Sequence, residues 1–335
     1  MSDACCCAGP KMPSTTSTIT RAARWDHFLA RWGVRRYSHR VEPGLYALGN
    51  PSPDSHVFVT ANYTLSFDAL RSSLGGIDGY IMVLDTRGIN VWCAAGKGTF
   101  GTDELVRRAE ATALRDVVSH RTLILPQLGA TGVSAHEVRK RSGFRVEYGP
   151  VRARDLPDYL RTHAATAEMR RVRFGLTDRL TLAPIELVGV MLPTLVAAVM
   201  LLAAFGPVAC GAAVAAVLAG TVLFPALLPW IPTPNFSTKG LVLGAAVALP
   251  FAVAGGVTAA SAGVVQPAWW RVGQGLVYLL SMPPVTAYLA LNFTGATTFT
   301  SKTGVRKEIY KYIPVMAWML GSGIALGIAL AILKG

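Results

Sequence analysis

Acidic residues are few in this chain and nearly vanish from its second half. Asp and Glu number 19 against 32 Lys and Arg in 335 residues, for a formal net charge of +13, and beyond Arg179 only Glu186 and Glu308 remain. No zinc-finger spacing and no aromatic-interleaved basic patch accompanies that excess, so nucleic acid is not an expected partner. Cysteine is also poorly patterned. Cys5, Cys6 and Cys7 are contiguous, and Cys93 and Cys210 stand alone. That excludes a disulfide framework, an iron–sulfur cluster held by this chain and a C-x-x-C redox pair, and it fits a reducing compartment. A G-x-G-x-x-G fingerprint is missing. Gly96-Lys97-Gly98-Thr99 lacks the upstream glycine and the Lys-Ser/Thr adjacency of a phosphate-binding loop, so nucleotide hydrolysis is set aside. The first residues do not have the basic-then-apolar layout of a secretory leader.

What the chain has in abundance is apolar sequence: 52% hydrophobic residues against 15% charged, with mean hydropathy +0.40. Long apolar runs occupy 185–206, 208–229, 241–260, 272–293 and 312–333, each long enough to cross a bilayer. The first two meet at Gly206-Pro207 and are expected to form a hairpin. Prolines such as Pro193, Pro250, Pro283 and Pro284 interrupt the runs, which packed neighbours tolerate. Gly323 and Gly327 form a G-x-x-x-G pair, a sign of close helix contact. Apart from Glu186 near an end, no run contains an internal Asp, Glu, Lys, Arg or His, so the expected role is anchor and platform, not ion-coupled transport. Arg170, Arg171, Arg173, Arg179, Lys239, Lys302, Arg306, Lys307 and Lys311 fall on one side, and Arg271 and Lys334 on the other. The positive-inside rule then predicts a multi-pass protein of the cytoplasmic membrane, with its amino-terminal domain inside and its C-terminus outside.

The amino-terminal half reads differently. Residues 1–20 are rich in Ser, Thr, Ala and Cys without periodicity, and are expected to be a disordered tail. Trp25, Phe28, Leu29 and Trp32 recur at helical spacing among arginines, which predicts an amphipathic helix packed on the domain. Pro43-Gly44 and Gly49-Asn50-Pro51 read as a loop. From His56 strand and helix patterns alternate, with strands at 57–59, 80–85, 122–125 and 145–148 and helices at 66–74, 102–117, 134–141 and 154–162. This predicts an α/β Rossmann-like domain over 21–165, a linker over 166–184 and an all-α membrane domain of five transmembrane helices over 185–335. Ligands in such sheets bind beyond the carboxyl ends of the strands, where the loops 60–64, 88–99, 125–131 and 148–151 fall.

Cys93 lies in one of those loops, between Trp92 and the small residues Ala94, Ala95 and Gly96. The small residues let a large flat ligand approach the backbone, and Lys97 would favour a thiolate. A buried structural cysteine in a turn is an alternative reading. A hydrolase would need a histidine base, yet His27, His39, His56, His120, His136 and His163 have no diagnostic spacing. A lone thiolate can also ligate a soft metal.

Asn90-Val91-Trp92-Cys93-Ala94-Ala95-Gly96-Lys97 resembles the signature of the HgcA family of mercury-methylating corrinoid proteins. Val59-Thr60-Ala61-Asn62-Tyr63, Tyr80 to Gly88, Leu123-Ile124-Leu125-Pro126 and Tyr148-Gly149-Pro150 resemble blocks of its corrinoid domain, and also of the corrinoid iron–sulfur protein of the acetyl-CoA pathway. The likeness covers roughly residues 40–335, the five-span tail and the loop Asn292–Glu308 being similar to HgcA alone. It implies a base-off corrinoid of the cobalamin type, with Cys93 as lower axial ligand to cobalt and Asn90, Val91, Trp92, Ala94, Ala95, Gly96 and Lys97 capping the lower face. Thr60, Ala61, Asn62, Tyr63, Pro126, Gln127, Gly149 and Pro150 are then expected along the corrin edge and tail. The histidine-on signature D-x-H-x-x-G is only begun by Asp54-Ser55-His56 and lacks its glycine.

The implied activity is a corrinoid-dependent methyltransferase that passes a methyl group from methyl-Co(III) to Hg(II). Its implied partners are a methyltetrahydrofolate-derived donor and HgcB, a ferredoxin with two [4Fe–4S] clusters. A membrane-tethered methyl carrier serving another acceptor, and a scaffold that has lost its cofactor, are the competing readings.

Overall fold

The computed structural model describes residues 12–258, 267–297 and 301–334. The chain divides into two compact units, one of Met1–Ala30 with Val34–Val172 and one of Arg31–Gly33 with Arg173–Gly335.

The first unit is an α/β domain around a six-stranded sheet: β1 (Ser14–Thr15), β2 (Gly44–Leu48), β3 (Val57–Ala61), β4 (Gly79–Leu84), β5 (Thr122–Leu125) and β6 (Arg145–Tyr148). The order across the sheet is β1-β2-β4-β3-β5-β6. β4, β3, β5 and β6 run parallel, and β2 joins β4 antiparallel. Its helices are α1 (Arg21–Arg31), α2 (Thr64–Ser73), α3 (Val91–Lys97), α4 (Thr102–Ala111), α5 (Leu114–Val117), α6 (Ala135–Ser142) and α7 (Leu156–Thr162).

β3 and β4 are buried along their whole length, so they read as unbroken apolar runs. Alternation resolves the two faces. Val57, Val59, Ala61, Met82 and Leu84 pack with Val91, Ala94, Leu105 and Val138. Phe58, Ile81 and Val83 pack with Leu70, Leu74 and Leu156 on the other face. Helices therefore cover both sides of a mostly parallel sheet, as expected.

Several local expectations change. Residues 1–11 lie outside the described residues, Cys5, Cys6 and Cys7 among them. Residues 12–20 carry an edge strand, because Ser14–Thr15 pairs with Ala47–Leu48 and the Arg71 guanidinium donates to the carbonyls of Thr16 and Thr18. The loop read around Pro43-Gly44 contains β2. The helix read over 102–117 breaks at Ala113, whose φ is +46°.

The second unit is helical: α8 (Leu176–Leu180), α9 (Ala183–Phe205), α10 (Pro207–Leu218), α11 (Phe224–Leu227), α12 (Phe236–Thr258), α13 (Ala268–Asn292) and α14 (Lys302–Lys334). Among the described residues five helical stretches are long and apolar enough to cross a membrane: Leu176–Phe205, Pro207–Leu227, Phe236–Gly256, Ala268–Gly295 and Thr303–Leu333. Helix thus begins inside the stretch that composition reads as a linker. Gly206, at φ +84°, turns the chain directly into α10, with Pro207 at its first position.

Glycine governs the packing here. A Cβ on Gly240 would approach the Ala287 backbone to 2.5 Å, and one on Gly244 the Pro283 backbone to 2.6 Å, so α12 and α13 touch along this face. Gly323 and Gly327 face Leu280 and Val277 more loosely. The segment read as a polar loop up to Glu308 ends in the first turns of α14, from Lys302, with residues 298–300 outside the described ones. Glu308 is buried, and its carboxylate accepts from the amides of Phe236 and Ser237, capping α12.

Candidate functional site

The chain runs from β3 to its neighbour β4 on one side and later returns to β5 on the other. The carboxyl edge between β3 and β5 is therefore the switch point where open parallel sheets bind ligands. Three post-strand segments gather at that edge: Asn62-Tyr63 after β3, residues 85–97 after β4, and Pro126-Gln127 after β5.

The Cys93 segment is not a loop. Asn90 caps a short helix, its Oδ1 accepting from the Cys93 amide at 2.9 Å, and Gly98 closes it at φ +84°. The helix is amphipathic in miniature. Val91, Ala94 and Ala95 are buried at i, i+3 and i+4, while Trp92 and Cys93 are half-buried and Gly96 and Lys97 exposed. Gly96 lies one turn beyond Trp92 and Cys93, and a Cβ there would meet nothing within 4 Å. The outer face is thus a flat patch with a free thiol at its edge.

Buried polar groups hold this helix from below. Asn62 Oδ1 accepts from the amides of Thr86 (3.0 Å) and Gly88 (2.9 Å), and Asn62 Nδ2 donates to Asp85. Thr86 Oγ1 lies 2.8 Å from Asn62 Oδ1 and 2.7 Å from the Ile89 carbonyl, its single proton serving one at a time. Arg87 and Gly88 are both left-handed, at φ +59° and +72°, and the Arg40 side chain lies across Gly88. Glu104 accepts from the Asp85 amide at 2.8 Å and pairs with Arg108 and Arg107. Burial raises the Glu104 pKa, but the Asp85 amide and the two guanidiniums outweigh it, so the group sits below the ordinary carboxylate value. From the side, Gly132 packs so closely that a Cβ would come within 2.9 Å of the Ala95 Cα.

The expected contact residues divide by accessibility. Tyr63, Asn90, Trp92, Cys93, Gly96, Lys97, Pro126 and Gln127 offer surface at the edge; Thr60, Ala61, Asn62, Val91, Ala94, Ala95, Gly149 and Pro150 are buried and support it. Gly149 is close-packed on β5, its amide donating to the Leu125 carbonyl, and the Pro150 carbonyl accepts from the Gln127 amide. Gln127 also receives Arg170 at 2.6 Å. His56 precedes β3 and lies at the opposite, amino edge of the sheet, with His163 6.1 Å away ring to ring. Sequence reasoning missed Thr86, Glu104, Gly132 and Arg40. Asn90 and Gly98, bracketing apolar residues at i, i+3 and i+4, were the signal for a short helix.

Fold and site together define a doubly wound α/β domain with a single-cysteine patch at its switch point, followed by a helical region with five candidate spans. Residues 35–160 match the family described as CdhD, CO dehydrogenase/acetyl-CoA synthase delta subunit. About a third of the chain is homologous to subunit gamma of the acetyl-CoA decarbonylase/synthase complex. Identity is 36% over 114 residues with the Archaeoglobus fulgidus protein, covering 33% of this chain and 24% of that one. It is 33% over 127 residues for Methanopyrus kandleri (37% and 27%) and 30% over 130 residues for Methanocaldococcus jannaschii (38% and 26%). The chain therefore spans about a quarter of the length of these curated relatives.

Proposed function

We propose that the amino-terminal domain binds a corrinoid and that the protein transfers a methyl group from it to Hg(II), with Cys93 as lower axial ligand of the cobalt. The supporting observation is the outward-facing Cys93 on a rigidly held helix at the switch point, beside the flat patch at Gly96. Its homology to acetyl-CoA decarbonylase/synthase gamma subunits supports the cofactor class. The residues present fit the group. Among the described residues no three His, Cys, Asp or Glu side chains converge on a metal, so a metal at Cys93 must bring its own chelate, as a macrocycle does.

When bound, the corrinoid supplies the cobalt–carbon bond from which methyl departs. Cys93 would hold the cobalt through an electron-rich thiolate, a donor suited to giving up methyl with both bonding electrons, the form an Hg(II) electrophile would accept. Asn90 fixes the Cys93 backbone, and Asn62 with Thr86 fixes the strand-to-helix turn, so the sulfur keeps its height above the sheet edge. Trp92 and Gly96 would form the surface that receives the macrocycle. Two partners complete the reading: a ferredoxin with two [4Fe–4S] clusters, since this chain has no cysteine spacing for a cluster, and a methyltetrahydrofolate-type donor.

The alignment with the gamma subunits favours a second reading, a membrane-tethered corrinoid methyl carrier in one-carbon metabolism that serves another acceptor. Purified full-length protein loaded with methylcobalamin and given Hg(II) separates the two. Methylmercury formed by wild type and lost in Cys93→Ala, with the fold retained, supports the first. Bound cobalamin without methylmercury supports the carrier, and absence of any cobalamin spectrum rejects both.

A further inference from the structure

Helix α1 is mounted with its polar side inward. Asp26 Oδ1 lies 2.7 Å from His39 Nδ1, His27 Nε2 lies 2.7 Å from Asp68 Oδ2, and Ala30, one turn further on, is buried. At 100° per residue these inward residues share one side of the helix, and Trp25 and Phe28 fall within an arc of about 60° on the opposite side. That aromatic side faces out. Trp25 is 61% exposed, Phe28 47% and Trp32 37%, and Trp25 stacks on Phe28 with centroids 5.3 Å apart. The surface continues through Val34 and Tyr37, both exposed. The helix packs on the domain as expected, but through Asp26, His27 and Ala30 and not through its aromatic residues.

Charge indicates what meets this surface. Arg21, Arg24 and Arg31 flank the aromatic arc on its own side, and Arg35 and Arg36 follow; all five are exposed. The segment's one acidic residue, Asp26, is turned inward onto His39. An outward face of Trp and Phe bordered by guanidiniums along one flank matches the headgroup layer of an anionic bilayer. Indole rings seat at the boundary there, and arginines meet phosphates. The same chain carries five helices able to cross a bilayer.

We propose that α1 is an interfacial helix that lays Trp25 and Phe28 into an anionic phospholipid surface, with Arg21 and Arg24 on lipid phosphates. This goes beyond the corrinoid reading and does not depend on it.

The test uses the full-length chain in nanodiscs of phosphatidylcholine, with or without phosphatidylglycerol. It carries the photo-crosslinker p-benzoylphenylalanine at Trp25, at Phe28, or at the exposed Glu110 of α4 as a control. The expected result on irradiation is phospholipid adducts at positions 25 and 28 but not 110, with yield falling at least about fivefold when phosphatidylglycerol is left out. Adducts at 25 and 28 to a second copy of the chain, no lipid adducts there, equal labelling at 110, or yields indifferent to lipid charge would each overturn it.

Discussion

Asn62 illustrates how one side chain can govern a site it does not touch. It is 3% exposed, and its carboxamide serves amide donors of the turn that launches α3. Asn62→Ala leaves the Thr86 and Gly88 amides buried without that acceptor, at about 2 kcal/mol of local stability. Hydrogen exchange at those amides is expected to quicken roughly 30-fold while the sheet amides hold their protection. His56 carries a different consequence. Burial lowers its pKa first, then the neighbouring His163 and His120, with Glu147 opposing. A folded pKa below the ordinary value means that the stability His56 contributes is present above the unfolded pKa. It is lost as pH falls from that value toward the folded one. The melting temperature of the amino-terminal unit should therefore drop between pH 7.5 and 5, and drop less in His56→Gln.

At the level of elements, glycines with opposite surroundings bracket the function of α3. Gly132→Ala pushes a methyl group into the Ala95 backbone and the Phe100 carbonyl, and is expected to destabilise the unit by about 2 kcal/mol. That corresponds to a melting temperature lower by about 4–8 °C. Gly96→Phe meets open space, so melting should stay within about 2 °C of wild type while cobalamin uptake is lost. If Gly96→Phe takes up cobalamin normally, the flat patch is not the binding face. The contrast also shows what the residues announced. β3 and β4 were legible because burial on both faces leaves an uninterrupted apolar run, and β5 and β6 because their ends are marked. α3 was read as a loop because seven residues are too few for periodicity to declare itself, and β2 was masked by the Pro43-Gly44 and Gly49-Asn50-Pro51 signals around it. Cys93 could be singled out from its neighbours. Its supports could not, since Thr86, Glu104 and Gly132 matter through contacts distant in sequence.

Across the whole molecule, five crossings by the candidate spans would put the amino-terminal domain and the C-terminus on opposite sides of a bilayer. The positive-inside rule then predicts, from the distribution of arginine and lysine, that the domain is cytoplasmic. A cysteine added after Lys334 is expected to react with an impermeant maleimide applied to intact cells, whereas one replacing the exposed Glu110 should react only after lysis. The reverse pattern would invert the topology. Hydropathy made the spans visible, but it did not reveal that helix starts as early as Leu176, because the polar first turn of that helix dilutes the average.

The two-residue reversal at Gly206-Pro207 bears on how the chain is made. With no connecting segment to thread through, α9 and α10 are expected to enter lipid together as a paired unit, and a protease added on the side of their turn is expected to find no site there.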